Sequence, residues 1–249
     1  MSAAITYVGH ATVLVQLDGA RLLTDPVFGG RAGALRAVPR AHEPGWGRSI
    51  DAVLLSHLHR DHFDPRTLRG LGDPLLIVPE RAGARLRRRG FPRVTEVAPG
   101  DAVRVGAVTV EATPALHGRY HPKRFRASGC VGFVMRATSS IYFAGDTDLF
   151  PEMADIRAPL DAALLPIWGW GPTLGAGHLD PLRAAEALTL LRPRLAVPIH
   201  WGTFHPLGLG WLRPAYLRDP PVQFVEHARR LAPDVEVAVL GPGESVTIA

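Results

Sequence analysis

The sequence predicts an α/β fold in which two layers of β-sheet form the core and helices cover the outside. Strand-like runs occur in both halves of the chain, helical segments accompany them in each half, and no repeat or linker separates the halves. Since a sheet must bury its apolar face, β-rich halves that each carry helices favour sheet-on-sheet packing with outer helices. The 249 residues, 47% of them hydrophobic, suit one domain spanning 1–249.

The N-terminal half begins with short β-rich runs in ITYVGHATVLVQLDGARLLTDP (5–26). Within it, Asp18-Gly19 is typical of the turn between two paired strands. Two further strands are predicted in DAVLLS (51–56) and DPLLIVPE (73–80). The basic segment RAGARLRRRG (81–90) predicts a helix that ends at its final glycine.

The C-terminal half alternates strands with two longer helices. DPLRAAEALTLLRP (180–193) predicts a helix with Asp180 as N-cap and Pro181 in the first turn. PPVQFVEHARRLAP (220–233) predicts the last helix. The predicted strands lie in 101–115, 130–146, 160–167, 194–200, 235–240 and 244–249.

Composition indicates a cytoplasmic enzyme. The chain lacks an apolar run long enough for a transmembrane helix, its N-terminus lacks the features of a signal peptide, and its single Cys130 excludes an intramolecular disulfide. The net charge of +5 comes almost entirely from arginine, with Lys123 as the only lysine. We interpret this charge as a solvated surface and expect no specific nucleic-acid partner. The sequence does not define the oligomeric state, and a homo-oligomer is one possibility.

The segment LLSHLHRDHFD (54–64) concentrates metal-binding residue types directly after an apolar run. Residues two apart in an extended segment face the same way, so His57 and His59 can point at one ion. Asp61 and His62, past a bend, can point at a second. Imidazole and carboxylate ligands suit zinc first, and manganese or iron as well.

Further candidate ligands follow predicted strands elsewhere in the chain. His117 follows VTVEAT, Asp146 follows IYFAG, and His200 ends AVPIH. Ligands from several strand ends can converge on one edge of a sandwich. The two carboxylate oxygens of Asp146 allow it to bridge two ions.

HLHRDH followed in order by His117, Asp146 and His200 resembles the metallo-β-lactamase superfamily over most of the chain. The resemblance implies a metallo-β-lactamase-type αββα sandwich, two mixed β-sheets flanked by helices, with a dinuclear site at its edge. It also implies a division of the ligands between two divalent ions. The first ion would take His57, His59 and His117, the second Asp61, His62 and His200, and Asp146 would bridge.

Longer phrases resemble the branch that contains N-acyl-phosphatidylethanolamine phospholipase D and ascorbate-6-phosphate lactonase. They are GHATVLVQLDGARLLTDPVF, SHLHRDHFD, GHLDP and IHWGTF. This resemblance implies hydrolysis of a small anionic ester, a phosphodiester first, by a hydroxide that two divalent ions activate. A lactonase for sugar-phosphate lactones, a nuclease of the same superfamily and a non-catalytic metal-pocket binding protein are the alternatives. Asp61 would orient the hydroxide, and His178 of GHLDP would protonate the leaving group.

Substrate contacts are expected on the loops that follow the ligands. Arg119, in GRYHPKRFRAS (118–128), lies two residues after His117 and can grip an anion, while Trp168 and Trp170 can form an apolar wall. Metal-binding imidazoles need hydrogen-bond acceptors behind them, for which Asp25 and Asp64 are candidates. His10 is either a residue of the site or a structural histidine.

Overall fold

The first of two large sheets is mixed. The computed structural model describes residues 3–38, 45–117, 129–156, 159–207 and 215–248, to which all structural statements refer. In spatial order the sheet contains β17 (Ser245–Ile248), β1 (Ala3–Gly9), β2 (Thr12–Leu17), β3 (Ala20–Thr24), β6 (Ala52–Leu54), β7 (Leu75–Pro79) and β8 (Val94–Val97). Strands β17 to β3 pair antiparallel, and β3 to β8 pair parallel.

The second large sheet repeats this mixture. In spatial order it contains β16 (Glu236–Val237), β14 (Leu195–Ile199), β13 (Ala162–Pro166), β12 (Ser140–Phe143), β11 (Val131–Arg136), β10 (Val108–Pro114) and β9 (Ala102–Val105). Strands β16 to β12 pair parallel, and β12 to β9 pair antiparallel. Both sheets therefore place parallel strands beside an antiparallel meander.

Helices cover the outer faces. They are α1 (Pro65–Gly70), α2 (Gly83–Arg87), α3 (Pro181–Leu191) and α4 (Asp219–Leu231), with short 3-10 turns at Pro151–Asp155 and Ala215–Leu217. The Asp180 carboxylate accepts from the N–H of Arg183 at 2.8 Å, which confirms the predicted N-cap of α3. The predicted basic helix is shorter than expected, since α2 has five residues and ends at Arg87 rather than at Gly90.

Three apolar clusters define four layers. The inner faces of the two sheets share one cluster, which includes Val13 and Leu54 on one side and Phe133 and Leu164 on the other. The outer face of the second sheet packs on α3 and α4, and the outer face of the first packs on α1 and α2. This arrangement confirms the predicted αββα sandwich, whereas the assignment of 1–249 to one domain stays a prediction.

A third, small sheet lies beside the sandwich and was not predicted. It pairs β15 (Phe204–Pro206) with β5 (Leu35–Ala37), and β5 with β4 (Arg31–Ala32). Its strands have only two or three residues, too few for the alternation that identifies a strand. It anchors the segment after β3 against the segment after β14.

The parallel strands of both sheets end at one edge of the sandwich. The chain leaves β3 at Asp25, β6 at Leu55, β12 at Ala144 and β14 at His200. Backbone hydrogen bonds join the sheets there, from Val131 N–H to the Ser56 carbonyl at 3.0 Å and from His200 N–H to the His10 carbonyl at 2.9 Å. The predicted ligands therefore meet at this edge.

None of the helices in the described ranges has the length and apolar character needed to cross a membrane. The cytoplasmic location and the oligomeric state stay predictions.

Candidate metal centre

All seven predicted ligands lie in one cluster. His57, His59 and His117 form a first group, and Asp61, His62 and His200 form a second group together with His10. Within each group the nearest nitrogen or oxygen atoms lie within 4.8 Å of one another. Such spacing suits atoms that surround a shared ion.

Asp146 lies between the two groups. Its Oδ2 is 3.9 Å from Nε2 of His57 and 3.9 Å from Nε2 of His117 in the first group. In the second group, Oδ2 is 3.2 Å from Nε2 of His62, and Oδ1 is 3.2 Å from Nε2 of His200. The Oδ2 atom thus faces both groups, and Oδ1 faces the second group.

The cluster is buried except at one side. His62 and His200 are 0% and 1% exposed, and Asp146 is 3% exposed. His59 is exposed and lies at the solvent side of the first group. Among the described residues, the first group therefore meets solvent at His59.

Acceptors behind the imidazoles fix which ring nitrogen carries hydrogen. Nδ1 of His117 is 2.9 Å from the Gly177 carbonyl, and Nδ1 of His200 is 2.9 Å from the Trp168 carbonyl. A carbonyl only accepts, so each Nδ1 donates and each neutral ring presents a lone pair at Nε2. Both lone pairs point into the cluster.

Asp25 orients histidines of both groups. Its Oδ2 accepts from Nδ1 of His62 at 2.7 Å and from the Ser56 hydroxyl at 2.5 Å. Because that hydroxyl donates to Asp25, it accepts from Nδ1 of His57 at 3.0 Å. His57 Nε2 is then a lone pair as well, and this buried atom has no hydrogen-bond partner among the described residues.

These contacts fit divalent cations. Nε2 of His117 lies 3.1 Å from Nδ1 of His59, and Nε2 of His62 lies 3.0 Å from Nε2 of His200. In three of these rings, those of His117, His62 and His200, the other nitrogen already has an acceptor, so the facing nitrogens meet as lone pairs at close range. A cation between them is favourable, since imidazoles that donate their other N–H to an acceptor are the usual ligands of transition metals.

The electrostatics also favour positive charge. Burial opposes ionisation of Asp61 and Asp146, but the adjacent histidines outweigh it and hold the pKa of both carboxyls well below its usual range. Burial lowers the pKa of His57 and His117. For His62, burial is outweighed by carboxylates led by Asp146, which raise its pKa well above the usual value. Two ionised carboxylates among buried imidazoles are a suitable donor set for cations.

The backbone is strained at the edge that carries these residues. His10, Asp25 and His200 have φ of 58°, 34° and 63°, a region that costs a non-glycine residue on the order of 1–3 kcal/mol. The N–H of His10 is held by the Thr203 hydroxyl at 2.9 Å and by the Tyr7 hydroxyl at 3.0 Å. This strain fixes the direction in which the side chains enter the cluster.

His178 lies at the rim. Its Nε2 is 3.5 Å from Asp146 Oδ2, and its Nδ1 donates to the Gly175 carbonyl at 3.1 Å. Burial lowers the pKa of His178, but the contact with Asp146 outweighs it, so the net direction is upward. The ring is partly exposed and thus meets both the cluster and solvent.

The predicted substrate contacts have different outcomes. The Trp168 indole donates to the Gly171 carbonyl at 2.9 Å, within its own loop. Trp170 is 44% exposed and is available for contact. Arg119 and the whole segment 118–128 lie outside the described residues, so their role stays a prediction.

The sequence missed or misassigned several supporting residues. Ser56 was not predicted, although it directly precedes His57 at the end of the apolar run. His10 lies in the second group, with Nε2 3.2 Å from Asp61 Oδ2. Asp25 is hydrogen-bonded to His62 as expected, but the proposal for Asp64 was wrong. The Asp64 carboxylate instead accepts from the N–H groups of Arg66 and Thr67 and caps α1.

Comparison with known proteins gives the family. The family model for the beta-lactamase superfamily domain matches residues 20–201. A UPF0173 metal-dependent hydrolase from Opitutus terrae is 34% identical over 251 residues, which cover 98% of this chain and 99% of the relative. The chain belongs to the metallo-β-lactamase superfamily. Within the superfamily, it groups with the UPF0173 metal-dependent hydrolases.

Other relatives differ in length or are more distant. A Mycobacterium tuberculosis protein is 34% identical over 82% of this chain, which spans only 61% of that relative. Igni18, a metallo hydrolase from Ignicoccus hospitalis, has a TM-score of 0.75 at 26% identity and matches 100% of this chain and 99% of its own. An isothiocyanate hydrolase from Delia radicum gut bacteria has a TM-score of 0.75, covers 98% of both chains and, at 20% identity, shows the superfamily fold alone. The narrower resemblance to the phospholipase and lactonase branch stays a prediction.

Proposed function

We propose that this chain is a dinuclear metal-dependent hydrolase of small anionic esters, and that a phosphodiester is the favoured substrate. The observation that carries the proposal is the position of Asp146, whose oxygens face ligand groups on both sides. Two nearby groups of donors with a carboxylate between them suit two ions that share one bridge. The name of the UPF0173 metal-dependent hydrolases, to which this chain is similar, agrees with this chemistry.

The two groups would each hold one divalent ion, with zinc as the first choice and manganese or iron as the alternatives. When bound, such ions make a shared water acidic enough to act near neutral pH and stabilise negative charge on the ester. His57, His59 and His117 would hold the first ion, Asp61, His62 and His200 would hold the second, and Asp146 would bridge.

Asp61 is assigned a second task. Its Oδ2 contacts Nε2 of His10 at 3.2 Å, which holds the carboxylate in one orientation. The Asp61 pKa is well below the usual range, so the group accepts a hydrogen bond throughout the neutral pH range. It can therefore orient the attacking water toward phosphorus.

His178 is assigned the role of proton donor. In the reaction, a bond forms between the water oxygen and phosphorus, the bond from phosphorus to the leaving oxygen breaks, and that oxygen needs a proton. His178 lies at the rim of the cluster, 3.5 Å from Asp146, where a leaving group would emerge. Trp170, which is exposed, can contact the apolar part of that group.

The test is turnover of bis(p-nitrophenyl) phosphate by the metal-loaded chain, before and after removal of metal by a chelator. We expect chelation to abolish turnover and added zinc, manganese or iron(II) to restore it. A panel with a lactone and a single-stranded oligonucleotide separates the lactonase and nuclease alternatives. Unchanged turnover after complete metal removal would contradict the proposal, and binding without turnover of any ester would favour the non-catalytic alternative.

The proton donor is tested with His178→Gln, and His227→Gln on the outer helix α4 is the matched control. His178→Gln should keep its metal content but lower kcat by about 10² to 10⁴ on an alkyl phosphodiester. The loss should shrink on a p-nitrophenyl ester, whose leaving group needs little protonation. Loss of metal would instead make His178 a ligand, and full activity on the alkyl ester would remove it from the mechanism.

A further inference from the structure

A cationic cavity lies at the small sheet. It has a volume of about 820 Å³ and is lined by residues 28–31, 33 and 36–38, which include parts of β4 and β5, and by Asp64 and Arg66 at the start of α1. Cavities of this size hold small organic ligands. Among the residues that the structure describes, the charged side chains of its lining are Arg31, Arg36, Arg66 and Asp64.

Two of these arginines are direct cross-strand partners. Arg31 of β4 pairs with Arg36 of β5 in the antiparallel register. Like charges directly opposite each other in such a pair repel and destabilise it. Among the described residues, no carboxylate lies within ion-pair distance of Arg31, Arg36 or Arg66. An anion between the guanidinium groups would offset the repulsion.

Asp64, the one acidic residue among the described lining residues, already accepts hydrogen bonds from its own helix. The Asp64 side chain accepts from the N–H groups of Arg66 and Thr67 and from the Thr67 hydroxyl. These three hydrogen bonds fix it as the cap of α1. Because three arginines face this single aspartate among the described lining residues, the formal charge of that lining is positive.

Two side-chain contacts link the residues around the cavity to the residues of the candidate metal centre. Arg60 lies between His59 and Asp61 in sequence, and its side chain extends to the β4–β5 turn, where a Cβ on Gly33 would lie 2.9 Å from its Cδ. On the other side, β5 pairs with β15, and Phe204 of β15 packs edge-on against the His10 ring, with a centroid distance of 4.8 Å. Guanidinium groups thus lie on the same side of the molecule as the candidate metal centre.

We infer that this cavity binds a phosphate group of the substrate that is remote from the ester being hydrolysed. The inference rests on the proposed function and narrows its substrate class to esters with a second, terminal phosphate. Arginine binds phosphate through two parallel hydrogen bonds, and a phosphate monoester has three terminal oxygens for several guanidinium groups. A carboxylate has only two oxygens and matches a cluster of arginines less well.

The first test uses a matched pair of substrates, 4-nitrophenyl propyl phosphate and the same diester with a phosphate on carbon 3 of the propyl group. We expect the phosphorylated diester to have a KM lower by about tenfold or more, the size that charge-assisted hydrogen bonds allow. The double variant Arg31→Ala/Arg36→Ala should lose this preference, and Arg66→Ala should lose part of it. Arg104→Ala, an exposed arginine on the edge strand β9, should keep it.

The second test does not depend on turnover. Calorimetric titration of the metal-loaded chain with phenyl phosphate should show affinity about tenfold weaker in the double variant and unchanged in Arg104→Ala. Without phosphate, the double variant should melt no lower than the unmodified chain, because a repulsive pair has been removed. Equal affinity for phenyl phosphate in both proteins would overturn the inference. If neither diester is hydrolysed but the affinity difference is present, the proposed function fails and the phosphate site remains.

Discussion

Asp25 is the residue on which both ligand groups depend. It accepts directly from His62 of the second group, and it orients His57 of the first group through the Ser56 hydroxyl. It is completely buried, and burial raises its pKa above the usual value. Its backbone is left-handed, at φ 34°, and is held by hydrogen bonds from its N–H to the Leu54 carbonyl at 3.0 Å and from the Thr12 hydroxyl to its carbonyl at 2.8 Å.

We therefore expect Asp25→Asn to weaken metal binding. The Asp25 Oδ2 accepts from His62 and from the Ser56 hydroxyl, while its Oδ1 accepts from the Ser56 N–H at 2.7 Å. An amide must turn its NH₂ group toward one of these two sets of donors, so it cannot satisfy all three. Loss of such a supporting group typically costs about 10- to 100-fold in metal affinity. Competition with a fluorescent zinc chelator measures the change, and a melting curve shows whether the variant is folded.

The control for this prediction is Asp64→Asn. Both aspartates are candidates by sequence, but only Asp25 contacts metal-centre histidines, whereas Asp64 caps α1. Asparagine caps helices about as well as aspartate, so we expect unchanged zinc affinity. Equal losses in the two variants would contradict the role assigned to Asp25.

Cys130 gives a second prediction at the residue scale. Burial raises the pKa of its thiol well above the usual value, and the carboxylates of Asp146 and Asp25 raise it further. Since the thiolate is the reactive form, the folded chain at pH 8 should react with a thiol reagent about 100-fold more slowly than the unfolded chain. Because Cys130 is the only cysteine, the rate belongs to it alone. Equal rates in buffer and in denaturant would contradict the burial.

Individual residues show which parts of the candidate site could be predicted from the sequence. The clustering of the seven proposed ligands was predictable because the HLHRDH segment is compact and the others follow apolar strands. The contact of His10 with Asp61 joins residues 51 positions apart, and no local pattern records it. Ser56 was missed because a serine at a strand end has no signal of its own until its neighbours in space are known.

At the element scale, the turn after β12 depends on Gly145. A Cβ there would lie 2.5 Å from Ser56 Cβ and 3.2 Å from the Val131 carbonyl, at φ 61°. The closeness lets Asp146 follow β12 directly into the cluster while Ser56 supports His57 from the adjoining sheet. A larger residue must therefore displace one side of the metal centre.

The unfolding free energies of Gly145→Ala and Gly106→Ala test this role of Gly145. Gly106 has nearly the same φ, 59°, but a Cβ at this position would meet no atom of the described residues within 4 Å. Both variants should lose about 1–2 kcal/mol of unfolding free energy from the left-handed backbone. Gly145→Ala should lose roughly 1–3 kcal/mol more from overpacking, as measured by urea denaturation. Equal losses of unfolding free energy in the two variants would show that the structure relieves the crowding at Gly145 without an energetic cost.

The elements themselves were predictable to different degrees. The large-sheet strands have apolar runs bounded by turns, and Asp18-Gly19 joins β2 to β3 as predicted. Helix α1 has six residues and the small-sheet strands have two or three, too few for a period to be visible. The β5–β15 pairing joins segments from opposite halves of the chain, which only the folded molecule brings together.

At the scale of the whole molecule, the two sheets share one plan. Each places parallel strands beside an antiparallel meander, and the parallel strands of both end at the same edge. Residues spread from His57 to His200 therefore converge. The fold class was predictable from the strand and helix pattern, whereas the cationic cavity was not, because the small sheet creates it.

The central claim is that this edge holds two metal ions, one in each ligand group. Variants that remove one exposed ligand of the first group and one buried ligand of the second separate the groups. His59→Ala and His200→Ala serve this purpose, with His227→Ala on α4 as a control outside the centre.

Elemental analysis of the purified chain, equilibrated with zinc and freed of excess ion, tests this claim most directly. We predict two ions per chain in the unmodified protein and in His227→Ala. His59→Ala should lose the first ion together with nearly all hydrolysis, and His200→Ala should lose the second. A saturated chain with a single ion, or His59→Ala with two tightly bound ions, would contradict the account.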